Sequence, residues 1–220
     1  AGPVPGDTPS GVRFVWRTSL SSPCRGYAPG MTGSAPAQLR PLRATDAPAV
    51  LAAFHAGTVG MADPAEVTDE ASARAYVDGL VQAEGTDAVA VVERGTDTLI
   101  GLVAVVRDEA HGTGALTAWL HQGWRGDAIM SRAATTVTDA ELAEGGLERI
   151  ELAHRADSPT AGAVARAAGP RHEGTQRGRL RAGGRRLDVH RYGRLAADPL
   201  PEERVRPLPW ASDARPWADR

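Results

Sequence analysis

The chain has 220 residues with 25 basic and 27 acidic side chains, a formal net charge of −2, and 42% hydrophobic residues. A charge this close to zero gives no overall attraction to nucleic acid or to an anionic membrane, so we expect neither as a partner. The single cysteine, Cys24, excludes an internal disulfide framework. No apolar run is long enough to span a membrane, and residues 1–30 lack a signal-like apolar core. These features predict a cytoplasmic protein that acts as a monomer or a homodimer.

The two ends of the chain differ in composition from the rest. Residues 1–37 are rich in Pro, Gly and Ser without a sustained period, which predicts a flexible extension in which residues 12–16 could form a short strand. Residues 197–220 are rich in proline and predict a tail, which Trp210 and Trp217 could dock on the domain or on a partner. One domain is therefore expected over residues 38–196.

Between the ends, the hydrophobic pattern changes between helical and strand periods. Thr45 or Asp46 can cap a first helix, and a second helix is expected to begin near Thr68. Residues 88–93 and 98–106 are runs rich in β-branched residues, which predict an antiparallel hairpin buried on both faces. The later segments are expected to be a strand over 115–120, a helix over 128–144, a strand over 149–153, a helix over 158–169 and a hairpin over 173–195.

Residues 119–133 organise the second half of the chain. They predict the end of a strand, a short turn containing Arg125 and Gly126, and the first turns of an amphipathic helix. The first N–H groups of a helix have no partners within the helix, and the helix dipole favours negative charge beside them. This turn can therefore hold a phosphate or pyrophosphate. Many similar connections bind no ligand. Support for a phosphate site therefore has to come from the order of the surrounding segments.

Those segments, in order along the chain, resemble the GCN5-related N-acetyltransferase (GNAT) family, in particular its ribosomal-protein N-terminal acetyltransferase branch. They are residues 39–47, 119–121 with 125–126, 145–152 with 157–158, and 173–174 with 187–195. The resemblance implies an α+β fold, an α/β/α sandwich in which helices flank a mixed, mostly antiparallel central sheet.

The resemblance also implies that acetyl-CoA is the co-substrate. Its pyrophosphate would bind the turn at residues 125–130, and backbone N–H groups at residues 119–121 would polarise the thioester carbonyl. Two positions of this turn depart from the family pattern: Ala128 stands where Gly is usual, and Met130, in place of a small residue, is expected to crowd the diphosphate oxygens. The residues expected to contact acetyl-CoA are Trp119, Leu120, His121, Arg125, Gly126, Asp127, Ala128, Ile129, Met130 and Ser158.

Glu109 and His111 are candidate bases in a polar turn, where a surface location is the simpler interpretation. Three further side chains are candidates for catalysis. His121 suits a general base because imidazole titrates near neutral pH, although a loop histidine beside Trp124 is the simpler interpretation. Glu151 could act as a base through a water molecule, or could simply face solvent. Tyr192 could protonate the leaving thiolate, or could pack with its hydroxyl at the rim.

The densest basic run lies in the closing hairpin, at Arg177, Arg179, Arg181, Arg185 and Arg186. It could contact an acidic partner, RNA or the 3′-phosphate of CoA. Because no aromatic residues are interleaved with it, a solvated hairpin whose arginines balance nearby acids is the simpler interpretation. No grouping of Cys, His, Asp and Glu has the spacing of a metal site.

Two functions follow from this sequence. The first is an N-acetyltransferase that moves an acetyl group from acetyl-CoA to a primary amine, on a protein N-terminus or a small molecule, by direct attack in a ternary complex. The second is a GNAT-fold protein that has lost transfer activity and binds a ligand or a partner.

Overall fold

The computed structural model of the chain describes residues 36–60, 67–182, 184–200 and 205–218, which form an α/β/α sandwich. The short strand expected over residues 12–16 lies outside these ranges. The helices are α1 (Ala47–Ala56), α2 (Glu70–Gln82), α3 (Ile129–Ala143) and α4 (Pro159–Ala167). The strands are β1 (Ala37–Pro41), β2 (Thr58–Gly60), β3 (Thr86–Glu93), β4 (Leu99–Asp108), β5 (Thr113–His121), β6 (Arg149–Arg155), β7 (Arg171–Ala182) and β8 (Arg185–Leu195).

The helices α2 and α4 begin at capping side chains, whereas Asp46, a predicted cap of α1, makes no cap hydrogen bond to that helix. Asp69 precedes α2, and its carboxylate accepts a hydrogen bond from the Ser72 N–H at 2.8 Å. Ser158 precedes α4 and accepts a hydrogen bond from the Ala161 N–H, while Pro159 occupies the first helical position. These side chains satisfy N–H groups that the first helical turn leaves unpaired.

The strands form one sheet in the order β1-β3-β4-β5-β6-β8-β7, with β2 added on β5. The pair β5–β6 is parallel, and the other named strand pairs among the described residues are antiparallel. This mixed, mostly antiparallel sheet is the predicted fold class. None of the helices in the described ranges is both long and apolar enough to cross a membrane.

The sheet has a hydrophobic core on each face. The helices α1 and α2 cover one face with residues such as Val50 and Val77, and α3 and α4 cover the other with residues such as Val137 and Ala165. Strands β3 and β4 are buried on both faces, which confirms the hairpin predicted from their β-branched runs.

The C-terminal segment, residues 205–218, packs on the domain. Leu39 of β1 donates its N–H to the Pro209 carbonyl at 2.9 Å and accepts a hydrogen bond from the Ala211 N–H at 2.8 Å. Leu208 is buried against α3, where its N–H donates to the Thr136 hydroxyl at 2.9 Å. The segment therefore extends the sheet at the β1 edge, although it has no regular period in sequence.

Candidate active site

The candidate site lies where β5 and β6 separate. The two parallel strands pair from Thr113 with Arg149 as far as Leu116 with Leu152. Beyond this point β5 continues to His121 and β6 to Arg155 without pairing to each other. The opening between these two ends is called the cleft here. The chain leaves β5 through one 3₁₀ turn and enters α3, so the N-terminus of α3 lies at the same edge of the sheet.

The turn before α3 has an unusual backbone. Gly126, Asp127 and Ala128 have φ angles of 105°, 44° and 50°, which all lie in the left-handed region. A residue with a Cβ atom is disfavoured there by about 1 kcal/mol, so Ala128 pays a steric cost that Gly would not. The turn from Arg125 to Ala128 is exposed, and the first N–H groups of α3 have no acceptors within the helix. The turn is therefore open to an anion.

Met130 does not crowd this turn, contrary to the prediction. Its side chain is 6% exposed and belongs to the core between the sheet and α3, close to Gly101 of β4. Ile129 is also buried in that core. Both residues can contribute only main-chain atoms to the turn, because the helix directs their side chains inward.

The free edge of β5 is covered by β2, a strand that the sequence analysis did not predict. Thr58 lies opposite His121 and Gly60 lies opposite Trp119, and the Gln122 N–H donates to the Gly57 carbonyl at 2.9 Å. Hydrogen-bonded pairs alternate along an antiparallel ladder, so Leu120, opposite Val59, is the next residue to exchange hydrogen bonds with β2. The backbone expected to polarise a thioester is therefore engaged with β2 in this structure.

His121 is held by its own loop. Its Nδ1 atom accepts a hydrogen bond from the Gly123 N–H at 2.9 Å, so the neutral ring carries its proton on Nε2. Burial lowers the pKa of His121 below its ordinary value, which keeps the ring neutral at pH 7. The ring can accept a proton only after the hydrogen bond to Gly123 breaks.

Glu151 and Tyr192 lie away from His121 and on opposite faces of the sheet. Glu151 pairs with Ala115, and its two oxygens accept hydrogen bonds from Arg149 at 3.0 Å and Arg191 at 2.6 Å. Tyr192 is 8% exposed and stacks on His154 with ring centroids 5.3 Å apart. His121 follows the last β5–β6 pair by about 17 Å along the strand, at 3.4 Å per residue. The structure does not bring the three predicted catalytic side chains together.

An aromatic cluster under α1 and α2 was not predicted as part of the site. The Trp119 Nε1 atom donates to the Tyr76 hydroxyl at 3.1 Å, and Phe54 packs edge-on to Trp119 with ring centroids 5.3 Å apart. Burial raises the pKa of Tyr76, so its hydroxyl keeps its proton. Tyr76 belongs to the apolar stripe of α2, and the helical spacing of that stripe predicted only that Tyr76 would pack in the core.

A family model described as an acetyltransferase (GNAT) domain matches residues 37–171 of the chain. The match spans β1 to the start of β7 and includes both strands of the cleft and the turn before α3. The chain is a member of the GNAT acetyltransferase family. Among curated proteins, none matches the chain significantly.

Solved structures of GNAT proteins share this fold. The ribosomal-protein-S5-alanine acetyltransferase from Vibrio fischeri is 19% identical with a TM-score of 0.66, over 77% of this chain and 98% of that one. A ribosomal L7/L12 alpha-N-protein acetyltransferase in complex with coenzyme A is 21% identical with a TM-score of 0.67, over 75% and 97%. A microcin C7 self-immunity acetyltransferase in complex with acetyl-CoA and AMP is 16% identical with a TM-score of 0.63, over 72% and 92%.

Membership of the GNAT family confirms the predicted family, fold and reaction class, in which acetyl-CoA is the co-substrate and an amine is the acceptor. The turn before α3 fits the pyrophosphate end of acetyl-CoA, because its exposed backbone donors and the Arg125 side chain face solvent without an ion pair among the described residues. The edge of β5 does not fit the thioester end while β2 is paired there. Ser158, expected to contact acetyl-CoA, has its hydroxyl engaged as the α4 cap.

Proposed function

We propose that this GNAT protein transfers an acetyl group from acetyl-CoA to the N-terminal amine of a polypeptide, by direct attack in a ternary complex. The observation that carries the proposal is the exposed left-handed turn at Gly126–Ala128, which opens α3 at the edge where β5 and β6 separate. The fold shared with two ribosomal-protein N-terminal acetyltransferases supports a polypeptide acceptor. A single cysteine in the sequence supports a reducing, cytoplasmic compartment.

The main-chain N–H groups of Met130 and Ser131 would hold the pyrophosphate, since they are the second and third donors of α3. When bound, acetyl-CoA supplies the activated acetyl group. His121 would accept the proton of the amine once its ring leaves Gly123, because its lowered pKa keeps it neutral.

A matched pair of variants at Ser131 tests the pyrophosphate site. Ser131→Pro removes one N–H donor, and proline is tolerated in the first turn of a helix. Ser131→Ala changes the same side chain and keeps the donor. In calorimetric titration with acetyl-CoA, we expect Ser131→Pro to bind about tenfold more weakly, the effect of one hydrogen bond to a charged group. Equal affinity in the two variants would remove the α3 N-terminus from the site.

A second function is favoured by β2, which covers the β5 edge between residues 119 and 121. In this alternative the protein has lost transfer activity and its GNAT fold binds another ligand or a partner. The same titration distinguishes the two functions. Heat of binding and release of free CoA thiol in the presence of an amine support the enzyme, whereas the absence of both at millimolar acetyl-CoA supports the alternative.

A further inference from the structure

The hairpin formed by β7 and β8 extends beyond the rest of the sheet. The pairing of β8 with β6 ends at Val189 opposite Arg155, so the residues nearer the turn pair only with each other. Residues 177–182 and 184–187 are called the hairpin arm here. Strand β7 has a bulge between Gln176 and Leu180, so the length is counted along β8, where residues 185–188 extend about 13 Å beyond Val189 at about 3.3 Å per residue.

The hairpin arm carries five exposed arginines, and none of them forms an ion pair among the described residues: Arg177, Arg179, Arg181, Arg185 and Arg186. The two acids of the same hairpin are engaged elsewhere. Glu173 is paired with Arg149, and Asp188 accepts a hydrogen bond from the Gly178 N–H at 2.7 Å. The five arginines are exposed, as the simpler interpretation predicts, and they form no ion pair within the described ranges, although Arg185 acts electrostatically on Asp157 over a longer distance.

Two of these arginines occupy directly opposed positions in the hairpin. Arg181 lies opposite Arg186 in the register of β7 and β8, and the Arg186 guanidinium group also donates a hydrogen bond to the Gly178 carbonyl at 3.2 Å. Like charges in directly opposed positions destabilise a strand pair. An anion that lies between the two guanidinium groups would remove this repulsion, and a guanidinium group donates two parallel hydrogen bonds to a carboxylate.

The hairpin arm projects at the edge of the sheet where the cleft opens. The carboxyl ends of the parallel strands β5 and β6 share one edge, and the arm continues past the carboxyl end of β6. Asp157 lies beside the α4 cap and forms an ion pair with Arg155. Arg155 lowers the pKa of the Asp157 carboxyl group, and Arg185 is close enough to lower it further. A polypeptide that enters the cleft by its N-terminus can therefore run along the arm.

We infer that the hairpin arm binds a carboxylate-rich stretch of the acceptor polypeptide, a few residues after the amine that is acetylated. This inference rests on the proposed function. One feature favours an acidic peptide over nucleic acid: the arm has no aromatic side chains on which bases could stack.

The inference is tested with synthetic peptides that share the same first three residues. Four peptides are compared. Two of them continue from position 4 with six Glu or six Gln residues, and the other two have a Gly spacer first, so that the six Glu or six Gln residues begin at position 8. Binding of labelled peptides is measured by fluorescence anisotropy, and transfer by the release of CoA thiol. The proteins are the full chain, the variant Arg179→Ser/Arg181→Ser, and the control Arg74→Ser/Arg94→Ser, whose exposed arginines lie on α2 and after β3, toward the other edge of the sheet.

We expect the unchanged chain and the control to bind a Glu peptide about tenfold more tightly than its Gln counterpart, the range in which complementary charges select partners. The arm variant should lose most of this preference. Added salt should reduce the preference in the unchanged chain, because exposed charges are screened.

Several outcomes would overturn the inference. They are equal binding of Glu and Gln peptides, a preference that survives in the arm variant, or an arm variant whose change is confined to the KM for acetyl-CoA. Arm-dependent binding of an RNA duplex without any preference for Glu peptides would identify nucleic acid as the partner instead. Transfer without charge preference would leave the proposed function standing, and charge-dependent binding without transfer would refute the proposed function and keep the peptide surface.

Discussion

The arginines of the sheet and those of the hairpin arm are the same residue type in opposite environments. Arg107 of β4 is 4% exposed and contacts Glu141 at 2.8 Å and Asp87 at 3.2 Å, two acids that are themselves buried. Arg40 of β1 is 3% exposed and pairs with Asp46 at 2.8 Å. The arginines of the arm have no such partners among the described residues. Within the domain, arginine links secondary-structure elements, whereas on the arm its charge is available to a partner.

The largest effect that this contrast predicts is on stability at Arg107. Arg107→Met removes the guanidinium group from Asp87 and Glu141 while keeping an unbranched side chain. Breaking one side of a buried ion pair typically costs about 3–5 kcal/mol, and we expect a loss of that size in the free energy of unfolding measured with urea. Arg74→Met, at an exposed position, should change it by less than about 0.5 kcal/mol. Similar losses in both variants would show that burial does not distinguish these arginines.

A smaller effect is expected at the base of the arm, where His154 is 3% exposed. Burial lowers the pKa of His154, and His190, Arg166 and His172 lower it further, while the hydrogen bond to the Arg155 carbonyl opposes them. As the pH falls below about 6.5 the unfolded chain binds a proton at this position before the folded chain does. Stability is therefore lost as the pH falls from about 6.5 to the lowered pKa of the folded state, by up to about 1.4 kcal/mol per pH unit.

Two substitutions that do not titrate test this expectation. His154→Phe keeps the stacking on Tyr192, and His154→Gln keeps a polar side chain. The difference in the free energy of unfolding between pH 7.5 and pH 5.5 should shrink in both variants by the same amount, even though their packing differs. A pH dependence that remains unchanged in both variants would show that His154 does not contribute to it.

The smallest effect is expected from the arm itself. Because Arg179 and Arg181 are exposed and form no ion pair among the described residues, Arg179→Ser/Arg181→Ser should change the free energy of unfolding by less than about 0.5 kcal/mol. A slight gain is consistent with relief of the repulsion between Arg181 and Arg186. A loss of several kcal/mol in thermal or urea unfolding would mean that these arginines stabilise the fold and are not reserved for a partner.

Much of the architecture could be predicted because local patterns report it directly. The β-branched runs of β3 and β4 predicted a strand pair buried on both faces, and the Ser158–Pro159 pair predicted the start of α4. The strand β2 could not be predicted in this way. Only three residues long, it has no detectable period, and it forms because the edge of β5 lacks β6 as a neighbour beyond Leu116.

The candidate site was less predictable than the fold. The turn before α3 was located from Arg125 and Gly126, but the left-handed φ of Ala128 depends on how the chain must rotate between β5 and α3. The side chain of Met130 points into the core because of how α3 is rotated about its axis on the sheet. The residues around Met130 do not indicate this rotation. His121 was a candidate base because of its residue type. The hydrogen bond that its ring accepts from the Gly123 N–H depends on the conformation of the loop, which the sequence does not give.

The amino-acid sequence by itself determined the succession of helices and strands, the glycine-containing turn at the start of α3 and the concentration of five arginines in one hairpin. Only the tertiary structure decided that β2 would cover the β5 edge, that Met130 would turn into the core and that the hairpin arginines would form no ion pairs among the described residues. The physical reason is that local patterns depend on neighbours within a few residues. Ion pairs and edge pairing instead join residues far apart in the chain, as Arg107 and Glu141 do.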